Sequence, residues 1–168
     1  NPQPDILKFV VARGFGLEAA SFEELEMASR AGVEPECMVF DSPVKTGWES
    51  RECLDRWPGL YINANSLAGI DRYPRDESMR LGIRINPLAA ANAPSLFDVS
   101  RSDSKFGVPI SRRAEILELG RDRRINGLHV HCGSEVSEIG VHAASIAAVV
   151  ELADEINGLA GESVIRWL

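Results

Sequence analysis

Apolar and polar positions alternate along this chain in two periods, and the changes between them mark the elements. Pro4–Ala12 (PDILKFVVA) carries apolar residues at helical spacing with proline in its first turn, which predicts a helix. Gly14–Ala20 is short enough for a strand. Ser21 and Glu24 then form an S-x-x-E capping box, opening a helix through Arg30 that Gly32 closes. Cys37–Phe40 (CMVF) predicts the next strand, Trp48–Trp57 a helix, Gly59–Asn63 a strand, and Ser66 the start of a short helix. Leu81–Asn86 (LGIRIN) reads as a buried strand stopped by Pro87, followed by a long irregular connection to Pro109. A helix over Arg112–Leu119, a strand over Gly127–Cys132 and a strong helix over Val141–Leu159 complete the pattern. In that last helix Ala144, Ala148 and Leu152 share one face, with Glu151, Asp154 and Glu155 solvated. Ser163–Leu168 starts a final strand.

Strands alternating with helices over short connections predict a parallel sheet with crossover helices. About six strands are visible, where a closed (β/α)8 barrel has eight. The first element is a helix and the last an abruptly ended strand, so residues 1–168 read as an internal portion of a TIM-type barrel. An open barrel wall exposes strand edges, and such a piece alone is expected to aggregate. The alternative is a complete doubly wound sheet, but neither G-x-G-x-x-G nor a P-loop follows the early strands.

The composition narrows the partners. Apolar residues make up 45% of the chain and charged residues 26%, as in soluble globular domains. A net charge of −7 without a basic tract argues against nucleic acid and anionic membranes. No apolar run reaches the ~20 residues of a membrane span, and NPQPDILK lacks a signal-peptide layout. Cys37, Cys53 and Cys132 are too widely spaced for a disulfide framework, which makes a reducing cytoplasm the expected setting.

In a parallel barrel the chemistry lies at the C-terminal strand ends. The polar residues there are Glu18, Asp41, Asn63, Arg84, Asn86, His131 and Ser134. The segment LHVHCGSE (Leu128–Glu135) is the richest, and its residues leave three readings open. His129 and His131 fall on one face of a strand and could ligate a metal, but a catalytic zinc needs about three protein ligands, so carboxylates would have to complete the set. Cys132 and His131 are neighbours facing opposite sides, a poor nucleophile–base pair. Cys132 reads as a small apolar residue and His129 as packed in the interior. Alternatively, an imidazole can stack on a pyridine ring, with the following Gly-Ser offering N–H groups and a hydroxyl to a phosphate.

The chain as a whole resembles the pyridoxal-phosphate-dependent decarboxylases with an alanine-racemase-like barrel, the group that includes diaminopimelate, ornithine and arginine decarboxylases. The resemblance runs in order. The opening stretch through Val33 is similar to the family segment that follows a K-A-N tripeptide and contains G-x-x-x-x-S-x-x-E. PECMVFDSPVKT is similar to the next strand and its lysine turn, LGIRINP to L-R-x-N-P, SKFGVP (Ser104–Pro109) to S-K-F-G-x, and GLHVHCGSE to G-x-H-x-H-x-G-S. It implies pyridoxal 5′-phosphate as cofactor, decarboxylation of a basic or diamino amino acid such as diaminopimelate, and a homodimer with active sites at its interface. His131 would stack on the pyridine ring, Ser134 would approach the phosphate, and Arg84 would sit near the ring oxygen and the Schiff base. Glu18 stands where the family usually has aspartate, as an acid near the Schiff-base nitrogen. Lys105 belongs to a loop near the active site and dimer contact, where a solvated loop lysine is the plainer reading. With Asn1 as the K-A-N asparagine, the Schiff-base lysine precedes the chain, the glycine-rich phosphate loop and C-terminal domain follow it, and the segment alone is expected to be inactive. The sequence departs from the family at HCGSE and at LFDVSRSD (Leu96–Asp103), the second pointing to a substrate other than diaminopimelate. A racemase-like or non-catalytic barrel relative is the alternative, followed by a metal-dependent hydrolase using His129 and His131.

Overall fold

The computed structural model describes residues 3–76, 78–89, 100–134, 136 and 138–168. The fold is a parallel sheet with helices packed on one face. Its helices are α1 (Pro4–Val11), α2 (Phe22–Arg30), α3 (Gly47–Arg56), α4 (Leu67–Ile70), α5 (Arg113–Arg121) and α6 (Ile139–Ala160). Its strands are β1 (Leu17–Ala19), β2 (Met38–Phe40), β3 (Tyr61–Ala64), β4 (Arg80–Asn86), β5 (Val108–Pro109) and β6 (Gly127–Val130). They run β1-β2-β3-β4-β6, with the two-residue β5 pairing beside the C-terminal end of β4. Every pairing is parallel. Because the strand order never reverses, right-handed crossovers place each helix on the same side, which is a barrel wall; a doubly wound sheet would reverse at a switch point.

The expected helix starts are built as the chain specifies them. Ser21 Oγ accepts from Glu24 N–H at 3.3 Å, and Glu24 Oε2 accepts from Ala20 N–H at 2.7 Å. The full reciprocal capping box is at α3, Thr46 with Glu49, whereas at α2 Glu24 reaches one residue past the N-cap Ser21. Two expectations need correction. In α6 the buried stripe is Ser145, Val149, Leu152, Ala153 and Ile156, whereas Ala144 is exposed. Ser145 can lie inward because its hydroxyl donates to Val141 O at 2.8 Å. Ser163–Leu168 is not a regular strand, yet it runs alongside β6, with Arg166 N–H bonded to Asn126 O at 2.9 Å and Leu128 N–H to Trp167 O at 3.2 Å. Within the long connection, residues 90–99 lie outside the described residues, including the first part of LFDVSRSD.

Alternation along the strands separates two environments. Phe40, Ile62, Leu81, Ile83, Ile85 and Leu128 are buried toward the helices, where they meet Leu25, Ile116, Leu152 and Ile156. Each contributes roughly 1.5–3 kcal/mol by leaving water. The intervening positions face the concave side: Asn63, Gly82 and Gly127 lie in one row of the register, with the Trp167 ring against the two glycines, and Arg84 and His129 form the next row toward the C-terminal ends.

Candidate active site

Five elements deliver polar side chains to this concave face: Glu18 from β1, Asp41 just past β2, Asn63 from β3, Arg84 from β4 and His129 from β6. Register brings Arg84 opposite His129. Asp41 reaches across to both. Its Oδ2 lies 3.3 Å from Arg84 Nη1, and its Oδ1 lies 3.4 Å from His129 Nδ1, outside hydrogen-bond geometry but close enough for electrostatic coupling. Carboxylate oxygens of Glu18 and Asp41 and a ring nitrogen of His129 all fall within 4.8 Å of one another.

The loop after β2 holds Asp41 rigidly. Asp41 N–H extends the β1–β2 ladder by donating to Ala19 O at 2.9 Å. Lys45, buried beneath the loop, donates to Ser42 O at 2.7 Å and to Asn63 O at 2.6 Å, with its ammonium 4.7 Å from the Phe40 ring centre. Arg72 donates in turn to Lys45 O. The sequence marks Asp41 and Asn63 as strand-end polar residues without assigning either a role. Lys45 carried no signal beyond its lysine turn.

Arg84 is fixed on its other side by the S-K-F-G loop, with its guanidinium 5.0 Å from the Phe106 ring centre. Gly107 makes that approach possible. A Cβ there would fall 2.9 Å from Asn86 N and 3.1 Å from Arg84 O, and its φ of +76° is one that side chains rarely tolerate. Asn65 staples the loop, donating to Lys105 O and accepting from Gly107 N–H, both at 2.9 Å. Lys105 itself is exposed, its ammonium 5.2 Å from the same Phe106 ring, so the structure keeps it at the rim rather than in the cluster.

His131 lies one residue beyond β6 and is exposed, with Ser134 exposed in the bend that follows. Cys132 is buried, as expected, but it is not simply apolar: its Sγ lies 3.0 Å from His142 Nδ1. His142 Nε2 lies 3.2 Å from Val136 O, a carbonyl that can only accept, so Nε2 carries the hydrogen and Nδ1 accepts from the thiol. Together with the bond from Ser100 Oγ to Cys132 O, this ties down the segment between His131 and Ser134. The metal reading of the two neighbouring histidines gives way to a different grouping, since His129 meets Glu18 and Asp41 while His131 lies outside that trio. Arg84 and the nearby Lys45 already counter the carboxylate charge there.

Burial dominates the ionisation of these groups. It pushes the Asp41 carboxyl up, with Arg84 and then Lys45 opposing. Lys45 is pushed down to about 8 by burial against the pull of Asp41. Burial, followed by Arg84, lowers His129 to about 4, and acts in the same direction on His131. His129 is therefore neutral near pH 7. Between pH 6.5 and about 4 the unfolded state binds a proton at this position and the folded state does not, so stability falls as pH falls through that window. The loss from His129 is about 3 kcal/mol, reinforced by His131 and opposed by Asp41, whose raised value favours the folded state on acidification. Urea midpoints measured from pH 7 to 4 should drop less for His129→Gln than for the wild type; parallel curves would contradict this assignment.

The comparisons with known proteins agree with this geometry. Residues 1–164 match the family described as pyridoxal-dependent decarboxylase, pyridoxal binding domain. The chain is 28% identical over 170 residues to a diaminopimelate decarboxylase of Staphylococcus aureus, covering 97% of this chain and 37% of the relative. It superposes on diaminopimelate decarboxylase from Helicobacter pylori complexed with L-lysine with a TM-score of 0.86 at 22% identity, covering 96% of this chain and 43% of that one. The arginine decarboxylase of Paramecium bursaria Chlorella virus bound to agmatine gives a TM-score of 0.79 at 19% identity, over 97% of this chain and 43% of the viral one. The chain thus spans about two fifths of the length of such relatives. Among the described residues no helix is long and apolar enough to cross a membrane.

Proposed function

The chain belongs to the pyridoxal-dependent decarboxylases, whose pyridoxal-binding domain it matches over residues 1–164, and from that premise we propose that it forms part of the active site of an enzyme decarboxylating a basic or diamino acid, diaminopimelate being the leading candidate. The observation that carries the reading is that Arg84, Glu18 and His131 lie near enough at the open, C-terminal end of the sheet for the charges of Arg84 and Glu18 to act on the His131 ring. The local chemistry fits a flat, polar-edged cofactor. Among the described residues Asn63, 1% exposed, has no hydrogen-bond partner for its amide nitrogen or oxygen, and buried His129 Nδ1 has none either. Orphaned buried polar atoms of this kind are rare unless a bound group or ordered water meets them.

Bound here, pyridoxal phosphate would supply the electron sink for the pair released as a carboxylate leaves as carbon dioxide. The chain's own residues bind and orient. His131 presents an imidazole whose protonation is disfavoured by partial desolvation and then by Arg84, suited to stacking on an aromatic ring. Arg84 carries fixed N–H donors for an anionic ring oxygen, and Glu18 provides a carboxylate where a cationic nitrogen is stabilised. Ser134, with the backbone N–H groups beside it, is suited to phosphate oxygens. Lys105 stands at the rim, where we propose that a second copy of the protein packs in a homodimer.

The test is to add pyridoxal phosphate to the purified full-length protein and record its visible spectrum before and after borohydride. Release of carbon dioxide from diaminopimelate, lysine, ornithine and arginine is then measured. A reducible visible band and release from a diamino acid are expected; absence of the band refutes the cofactor assignment. His131→Ala should weaken cofactor binding roughly tenfold, the equivalent of ~1.4 kcal/mol of lost stacking. Unchanged affinity would remove His131 from the ring face.

A further inference from the structure

The geometry points to Asp41 as a positioning residue that holds the Arg84 guanidinium at the cofactor edge of the site, an inference that rests on the function proposed above. Arg84 has a long side chain, yet two contacts fix it: Asp41 Oδ2 at 3.3 Å on one side and the Phe106 ring at 5.0 Å on the other. Of the two, Asp41 is the anchored post. Its own backbone continues the ladder to Ala19, and the loop behind it is closed by the two carbonyl bonds of buried Lys45. The side chains of Asp41 and Arg84 are 6% and 8% exposed, so the pair works in a medium of low dielectric constant, where orientation by charge is strong.

The surroundings show why charge, and not shape alone, matters. Facing Asp41 are Arg84 from β4, His129 from β6, Glu18 from β1, Lys45 from its own loop, and His131 beyond β6, with the Asn63 amide adjoining. Arg84 brings a permanent positive charge, and Lys45, pushed down to about 8, adds a second at neutral pH. His129 is neutral and Glu18 is exposed, so Asp41 is the buried carboxylate that balances them. Without its charge, Arg84 is free to swing toward Glu18, away from the orientation that the Asp41–Phe106 clamp imposes. Asp41 touches no reacting atom in this arrangement; it acts through Arg84.

The test compares Asp41→Asn, Arg84→Met and the double variant in the full-length protein. Three quantities are read: pyridoxal phosphate affinity of the apoprotein, the pH at which the bound cofactor's visible band changes, and kcat and KM. Asp41→Asn should weaken cofactor affinity about tenfold, displace the midpoint of the spectral titration, and lower kcat with KM changed little. The decisive result is non-additivity: in the Arg84→Met background the Asp41→Asn change should have little further effect on any of the three. Asp41→Glu, which keeps the charge, should recover part of the spectral midpoint. If the two single losses simply multiply, or if Asp41→Asn leaves the spectral midpoint in place, the positioning role is wrong. Should Asp41→Asn not fold, the charge-balanced double variant and Asp41→Glu still decide the matter. A wild-type protein that fails to bind pyridoxal phosphate overturns the functional reading itself, whereas a wild type that binds it and an indifferent Asp41→Asn overturn only this inference.

Discussion

Gly127→Ala is expected to destabilise the fold by about 3 kcal/mol, at the scale of losing a large buried side chain, although it adds a single methyl group. A Cβ at Gly127 would fall 1.9 Å from Trp167 Cε2 and 2.2 Å from Cζ2, well inside any real contact. The indole has no easy retreat. A Cβ at Gly82, the register partner of Gly127, would meet the same ring at 2.4 Å, so the two glycines form the slot that the indole fills. Tyr61 stacks edge-on against it at 5.0 Å, and Trp167 Nε1–H donates to Asn126 Oδ1 at 3.1 Å. Expelling the ring forfeits these contacts and loosens the segment that runs beside β6. Chemical denaturation of Gly127→Ala, Trp167→Ala and the double variant measures the effect. With the indole gone the methyl group has room, so the double variant should be no less stable than Trp167→Ala alone. Full additivity would mean that Gly127 is needed for its backbone and not for this slot.

How much of this was legible beforehand differs by level. The alternation of strands and helices, both capping signals of α2 and the polar residues at strand ends follow from short-range pattern, and the structure realises them because each depends on neighbours in sequence. Arg84 and His131 could be picked out from the resemblance to known motifs. What could not be read is who meets whom across the concave face. The contact between Asp41 and Arg84 spans 43 residues, and only the side-by-side register of β2, β3 and β4 creates it. The same is true of Cys132, whose partner His142 arrives from the next helix, and of Trp167, whose slot is visible only when β3, β4 and β6 are set side by side. The α6 stripe was misplaced by one position for a local reason: alanines score as apolar, whereas Ser145 goes inward by satisfying its hydroxyl on its own helix.

Arg84→Met should remove 3–5 kcal/mol, the cost of breaking one side of a buried ion pair, out of the ~5–15 kcal/mol that holds a domain of this kind together. Methionine replaces the bulk of the side chain, so the loss is electrostatic: Asp41, its side chain 6% exposed, keeps its desolvation without the first of the charges that offset it. The sign of the pH response follows. Arg84 is the foremost influence lowering Asp41, so without it the folded-state value climbs further above 3.8. Between those two values the folded protein binds the extra proton, and stability therefore falls as pH rises. The variant should be less destabilised relative to wild type at pH 5 than at pH 7.5. His129 adds to the recovery, because Arg84 also helps to hold its value down and removing that charge lets the ring accept a proton more readily. Neutralising Asp41 as well should restore much of the loss, since a buried pair replaced on both sides leaves no uncompensated charge. Urea midpoints of Arg84→Met and Arg84→Met/Asp41→Asn at pH 5 and 7.5 measure all of this. A double variant as unstable as the sum of its single changes would show that Arg84 stabilises the site through its packing on Phe106, and that the contact with Asp41 contributes little to the fold.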